Sequence, residues 1–588
     1  MQEIDSTDIF QTYEQLVFQF IENCFILSKI RQLFYFFEVK MNSIYILVFS
    51  LLWVVVAYFW YGNSVIKRKL IDPVDENPTP SHAMKDDVDF YPAPSIVLFG
   101  HHFSSIAGAG PIVGPIVAVT CFGWGPAAIW LLVAGVFIGA VHDYLSLMIS
   151  VRHQGVSIPD TAEKYVSKRA KFLFLVFVWL TIVLVIAVFG NLAATSMITK
   201  PELVIPTFAL IPLAMLFGII SKNRWLPLWA NTIIAIAGLI FLIWLGFRFP
   251  ITVGTKETAY SIWFTLLMVY GFVASVTPVW ILLQPRDYIS SWVLILGISL
   301  AFIGIFIVHP DMNAPFVIAE TFKDSSQGPL VPFLFIVIAC GAVSGFHSII
   351  ASGTTSKQLD REKDAMFVGF GGMLMETVIG IVCVIIAGAA IKWGTGENEL
   401  QWIFKNSGGA LGVYGNGFGR LTSFIFGNEV GVVIGITIVN VFIMTTLDTS
   451  VRLARFLTNE MIGDKLPSKL QNKFFYTIVA VIPAFLLGIT DSWASVWPLF
   501  GAANQLVAAL VFIILTAYFY SKNKPIRYTL WATVFMLAMT IFALCWMIWK
   551  YFVTAPNYFL GSVAVVLVIL AVLMIVEGCK KIGSVKKA

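Results

Sequence analysis

The segment Ser95-Ile-Val-Leu-Phe-Gly-His-His-Phe-Ser-Ser-Ile-Ala-Gly-Ala-Gly-Pro-Ile-Val-Gly-Pro115 lies inside an apolar run long enough to cross a bilayer, yet it is crowded with helix breakers: Gly108, Gly110, Pro111, Gly114 and Pro115. Proline removes an amide donor, and glycine costs a helix about 1 kcal/mol per site. In hydrocarbon the freed backbone groups must be satisfied by protein, an ion or water. Two structures meet that demand: a discontinuous helix lining a substrate cavity, or a kinked helix whose small residues pack closely on a neighbour. The adjacent pair His101-His102 favours the first. Ser104, Ser105, Ala107, Gly108, Ala109, Gly110 and Pro111 are therefore candidates for binding a small solute.

The rest of the chain has the same membrane character. Of 588 residues, 58% are hydrophobic and 12% charged, with mean hydropathy +0.85. About fifteen apolar runs are long enough to span roughly 30 Å of hydrocarbon as helices. They fall near 41–61, 96–121, 125–151, 172–197, 204–221, 227–247, 260–283, 290–308, 329–353, 366–391, 429–453, 474–490, 495–519, 528–549 and 557–577. Most of the 38 Lys and Arg residues fall in every second loop. Basic loops stay in the cytoplasm, which puts Lys67-Arg68-Lys69 and the C-terminal Lys580 to Lys587 inside. Residues 1–40 carry six acidic residues and no basic n-region, so a cleaved signal peptide is not expected. They read either as an extension upstream of a true start at Met41 or as an amphipathic surface helix. Six scattered cysteines form no CxxC or CxxCH pattern, and a net charge of +5 spread over short loops does not imply a nucleic-acid partner.

A second interruption is expected at Gly271-Phe-Val-Ala-Ser-Val-Thr-Pro278, with Ser275 and Thr277 completing the pocket. This seventh span lies five after the second and runs in the opposite direction. That offset and parity are what an inverted five-helix repeat requires. Spans 2–6 and 7–11 are thus read as the two repeats, with span 1 and spans 12–15 peripheral.

Several stretches resemble the carbon starvation protein A family of bacterial inner-membrane transporters: Gly100 to Pro115, Val141-His-Asp-Tyr144, Gly345-Phe-His-Ser-Ile-Ile-Ala-Ser-Gly-Thr-Thr355, Thr446-Leu-Asp-Thr449 with Arg452, and Trp497-Pro-Leu-Phe-Gly-Ala-Ala-Asn-Gln505. The resemblance covers Met41 to about residue 560. It implies an all-α polytopic fold with an inverted-repeat, LeuT-like core, and uptake of peptides or pyruvate driven by an ion gradient during carbon starvation. On this reading residues 41–425 form the transporter's N-terminal region, 426–577 complete the core and add peripheral helices, and 578–588 are a basic cytoplasmic tail.

Ionisable residues at membrane depth are costly and mark function by default. His101, His102, His142, Asp143 and His347 fall in the inner half of three spans. They read as a protonation site, as ligands of a transition metal or haem (with His102, His142 and His347 the candidates), or as satisfied structural hydrogen bonders. Span 9 adds the hydroxyls of Ser352, Thr354 and Thr355; the resemblance to the wider superfamily's sodium-coupled members implies a sodium site formed by Thr354, Thr355 and the backbone near Ala107 to Gly110, and Glu376 would suit a proton relay. The coupling ion is thus H+ or Na+, and no resident cofactor is expected. Asp448 and Arg452, at i and i+4, read as a local ion pair, Arg286 as a cytoplasmic anchor, and Asn504 and Gln505 as packing between helices. The loop 392–428 reads as an external lid or a disordered connection. Alternating-access import of a small carboxylate-bearing solute, not enzyme catalysis, is the function expected. A haem- or metal-bearing membrane redox protein is the rival.

Overall fold

The computed structural model describes residues 41–74, 78–86, 90–223, 225–278, 281–490 and 493–585; the expectations for 1–40 and for the last residues of the tail lie outside them. The described residues form an all-helical bundle. Thirteen helices are long and apolar enough to cross a membrane, fourteen when one bent pair is counted as a span. In chain order we name α1 (Ser43–Lys67), α2 (Ser95–Ile106), α3 (Gly110–Phe122), α4 (Trp124–Arg152), α5 (Ile158–Tyr165), α6 (Lys168–Thr199), α7 (Val204–Lys222), α8 (Leu228–Arg248), α9 (Lys256–Val276) and α10 (Leu283–Val308). There follow α11 (Leu330–Val337), α12 (Gly345–Gly353), α13 (Met366–Gly388), α14 (Leu400–Asn406), α15 (Gly409–Phe426), α16 (Asn428–Ile462), α17 (Lys473–Thr490), α18 (Trp493–Ser521), α19 (Arg527–Trp549) and α20 (Tyr558–Val585). Each of the fifteen expected spans has its counterpart, the second and the ninth as pairs of half-helices. Local chemistry sets several starts: the side chains of Asn42, Ser157, Ser167 and Thr255 accept amide hydrogen bonds at the first turns of α1, α5, α6 and α9.

The second span breaks where its glycines and prolines predict. The pair α2/α3 is bent by 46° across Ala107–Ala109. The other interruption lies elsewhere than expected. Helix α9 runs unbroken to Val276, and residues 277–282 connect two spans. The ninth span instead separates into α11 and α12 around the non-helical stretch 338–344.

The packing has the reciprocity of two inverted repeats, with boundaries different from those expected. α3 lies on α13 as α12 lies on α4, α6 packs on α18 as α16 packs on α10, and α6 touches α17 as α16 touches α9. The long helices α6 and α16 pack on each other, as do α9 and α17. Both α4 and α13 contain a π-helical turn, at Gly135–Gly139 and Met366–Phe370. One repeat is therefore α2/α3, α4, α6, α9 and α10. The other is α11/α12, α13, α16, α17 and α18, and the hairpin α7–α8 is interposed. Helix α18, placed at the periphery by sequence, has its most apolar 18-residue window entirely buried.

The loop expected to be an external lid folds as α14 and α15, with α15 buried against α16. Gly419 and Gly431 permit the approach: a Cβ built on Gly431 would sit 2.8 Å from the Gly419 Cα. Asp448 pairs across helices with Arg286 rather than with Arg452. Arg286 grips both carboxylate oxygens, and the Tyr270 hydroxyl donates to Asp448 at 2.8 Å. Both charges are fully buried. Arg452 donates to the Ala274 and Thr277 carbonyls, Arg455 to Ser275 and Lys473 to Val276, so cations cap the C-terminus of α9.

Removing one member of a buried ion pair costs about 3–5 kcal/mol because its partner remains charged and unpaired. Arg286→Met should therefore lower the unfolding midpoint of the detergent-solubilised protein sharply. The double substitution Arg286→Met/Asp448→Leu should recover most of the loss, as thermal unfolding would show.

Candidate functional site

The two interruptions touch. A Cβ added to Gly110 would lie 2.6 Å from the Cys340 sulfur, one on Gly114 2.7 Å from the Val337 carbonyl, and one on Gly341 3.5 Å from the Pro111 Cα. Only residues without side chains let the two backbones approach this closely. Both second halves, α3 and α12, begin at their breaks, so both turn the positive end of a helix dipole toward the middle of the bundle.

Side chains from other helices satisfy the backbone freed at 338–344. The Asn504 side-chain oxygen accepts from the Phe346 amide at 3.0 Å, and its amide donates to Ser344 Oγ at 3.1 Å. Gln505 donates to the Phe335 carbonyl at 3.0 Å, Trp130 to Ile338 at 3.2 Å and Thr377 to Gly341 at 3.3 Å. Reading Asn504 and Gln505 as inter-helix packing missed this. Two amides on a helix otherwise apolar along its length were the available signal, since buried amides need partners.

Below the breaks lies a buried polar chain. His142 and His347 each direct Nδ1 to Asp143, at 2.9 and 2.8 Å, one to each carboxylate oxygen. His347 Nε2 stands 3.2 Å from Glu376 Oε2. All four side chains are inaccessible to solvent. They come from α4, α12 and α13, so the chain joins both repeats. His102 bonds Thr355 Oγ1 at 2.8 Å and packs beside Gly372, one helical turn from Glu376. The Nε2 atoms of His101, His102 and His142 have no hydrogen-bond partner among the described residues.

The remaining candidates separate by location. The hydroxyls of Ser104 and Ser105 donate to the His101 carbonyl. Ala107 and Ala109 are buried at the first break, and the hydroxyl against Gly108 is that of Thr446 on α16. Ser352 donates to the Ser348 carbonyl, and Thr354 closes α12 through its amide to Ile350. Ser275 and Thr277 sit at the capped end of α9, where their carbonyls are held by Arg455 and Arg452. Among the described residues no three His, Cys, Asp or Glu side chains converge as a metal-binding set.

Because Gly110 lies against both Cβ and Sγ of Cys340, even one added methyl overpacks the contact, at about 1–3 kcal/mol. Gly110→Ala should depress solute uptake in proteoliposomes, and Cys340→Gly in the same chain should restore part of it. Failure of the second change to help would show that the contact does not limit transport.

Comparison with known proteins gives a consistent result. The family described as "Carbon starvation protein CstA" matches residues 42–396 and 401–544. The chain is 33% identical to "Peptide transporter CstA" of Escherichia coli over 86% of this chain and 81% of that protein. It is 31% identical to the Bacillus subtilis protein of the same name, over 92% and 97%. It is also 29% identical to "Pyruvate/proton symporter BtsT" of Escherichia coli, over 88% and 82%. A bundle of membrane-spanning helices, two touching helix breaks and this breadth of similarity lead to one assignment: the chain belongs to the carbon starvation protein CstA family of membrane transporters.

Proposed function

We propose that this chain imports a small carboxylate-bearing nutrient, a peptide or pyruvate, across the bacterial inner membrane by proton-coupled alternating access, with its C-terminus in the cytoplasm. The observation that carries this reading is the contact between Gly110–Gly114 and residues 337–341, toward which two half-helices turn their N-termini. Two helix dipoles converging there favour an anion, and both a peptide and pyruvate offer a carboxylate. Ser275 and Thr277 would serve the inward exit rather than the grip on cargo. The relatives named as peptide transporters and as a pyruvate/proton symporter support the substrate class and leave both choices of cargo to be tried.

Coupling is assigned to the chain His142–Asp143–His347–Glu376. Two carboxylates and two imidazoles in mutual contact hold a variable number of protons, and they bridge the two repeats that must move against each other. A proton taken up on one side would alter the bond of His347 to Asp143 and its contact with Glu376 and so change how α12 sits against α4 and α13. Proton coupling is preferred to sodium because the ionisable groups His142, Asp143, His347 and Glu376 are contiguous. No observation among the described residues favours the haem or metal reading.

The test separates coupling from folding. In proteoliposomes, Asp143→Asn and Glu376→Gln should abolish accumulation driven by a pH gradient yet retain counterflow exchange of labelled against unlabelled solute. Loss of both activities, or uptake that vanishes when choline replaces sodium, would contradict the assignment.

A further inference from the structure

On the proposed inner face, the ends of several helices border an open cavity of about 630 Å³, within the roughly 300–1,000 Å³ of small-molecule sites. Its walls come from the segment after α1, from the ends of α4 and α18, and from α5. One side is aromatic: the Tyr165 and Tyr518 rings stand edge to face at 5.1 Å, and His153 packs on both. His153 is committed through Nδ1 to the Ile149 carbonyl and through Nε2 to the Tyr165 hydroxyl. The Tyr518 hydroxyl has no hydrogen-bond partner among the described residues.

The other side is basic, and its Lys164 ammonium stands over the Tyr165 ring at 5.9 Å from the centroid. Lys164, Lys522 and Lys524 line the cavity with no ion-pair partner among the described residues. Neighbouring cations on this face are paired: Lys171 with Asp160, Glu163 and Glu460, and Arg169 with Glu577. Arg152 reaches the cavity from a bidentate pair with Glu362 and a bond to the Asp72 carbonyl. Asp72 is the one carboxylate in the lining, so the cavity carries a net positive charge. Burial holds the His153 imidazole below its ordinary pKa, and the Lys164 and Lys522 ammonium groups add repulsion. Lysines that only anchor a helix at a membrane surface spread over that surface. Here three ammonium groups without ion-pair partners among the described residues line one concavity together with the Tyr518 side chain.

We propose that this cavity binds a phosphate ester, drawn either from the headgroup of an anionic phospholipid or from a soluble phosphorylated metabolite. The ester oxygens accept from Lys164, Lys522 and Lys524 as charge-assisted hydrogen bonds, and the Tyr518 hydroxyl adds a neutral donor. The site is separate from the transport pathway but shares two of its helices. Arg152 ends α4, which carries His142 and Asp143, and Lys522 follows α18, which carries Asn504 and Gln505. A ligand there fastens α4 to α18 and so tunes their relative motion.

The test uses the full chain in uncharged detergent. Inorganic phosphate should raise the unfolding midpoint saturably, compared with sodium chloride at equal ionic strength. The half-saturating phosphate concentration should rise at least about tenfold, a loss of about 1.4 kcal/mol, in Lys522→Gln/Lys524→Gln and again in Lys164→Gln. The source is identified by reconstitution. If vesicles containing phosphatidylglycerol abolish the phosphate response and phosphatidylcholine vesicles do not, the headgroup is the occupant; if phosphate acts equally in both, the ligand is soluble. Equal effects of phosphate and chloride on the wild-type protein would overturn the proposal, and this comparison holds even if a variant fails to fold. An undiminished phosphate response in well-folded variants would overturn it equally.

Discussion

Hydrocarbon does not hydrogen-bond, so backbone that leaves the helical ladder at membrane depth must find its partners inside the protein. Residues 338–344 pose this demand most acutely, and much of the bundle is arranged to meet it. Asn504 and Gln505 are spent there, together with the indole of Trp130 and the hydroxyl of Thr377. This places α18 in the interior and brings α4 and α13 against the break. The same contacts bring the first interruption, at Ala107–Ala109, alongside the second, because the glycines at 110 and 114 leave room for Cys340 and the Val337 carbonyl. Each repeat thus supplies one opened helix, and the second is made tolerable by Asn504, Gln505 and Thr377 of its own repeat and by Trp130 of the other.

Electrostatics follows the same logic of mutual satisfaction. Two groups of buried charges tie helices together within the bundle. Arg286, Asp448 and Tyr270 tie α10, α16 and α9 together near the proposed inner end. His142, Asp143, His347 and Glu376 join α4, α12 and α13 below the breaks. The first group is a closed pair, with each carboxylate oxygen met by the guanidinium. The second is a chain in which two imidazoles alternate with two carboxylates. A closed pair fixes geometry, whereas an alternating chain accepts protons at several points. That difference assigns structure to one group and coupling to the other.

The span count, the first break and the convergence of His142, Asp143 and His347 were legible in the sequence. Each signal is local: run length, breaker density, and depth within a run. The second break was not legible. Residues 339–344 read Ala-Cys-Gly-Ala-Val-Ser and contain no proline, whereas Thr277-Pro278 supplied a stronger local signal at what is a helix end. The repeat boundaries went wrong for the same reason, since an interposed hairpin leaves no mark on hydropathy. Pairings across more than a hundred residues, such as Arg286 with Asp448 or Asn504 with Phe346, lie beyond any i,i+4 argument. The glycines of α15 suggested a loose lid because close helix packing and flexible linkers draw on the same residue type.

The native thiol of Cys340 sits at the contact between the two breaks and offers the most direct measurement. With the remaining cysteines replaced by alanine, the reaction rate of Cys340 with a small hydrophilic thiosulfonate can be followed in a transport-active membrane preparation. If the breaks line the alternating-access pathway, the thiol reacts while the protein cycles, and saturating cargo slows the reaction. A Cys340 that stays unreactive throughout transport, or that reacts at a rate indifferent to cargo, would contradict a pathway through the paired breaks.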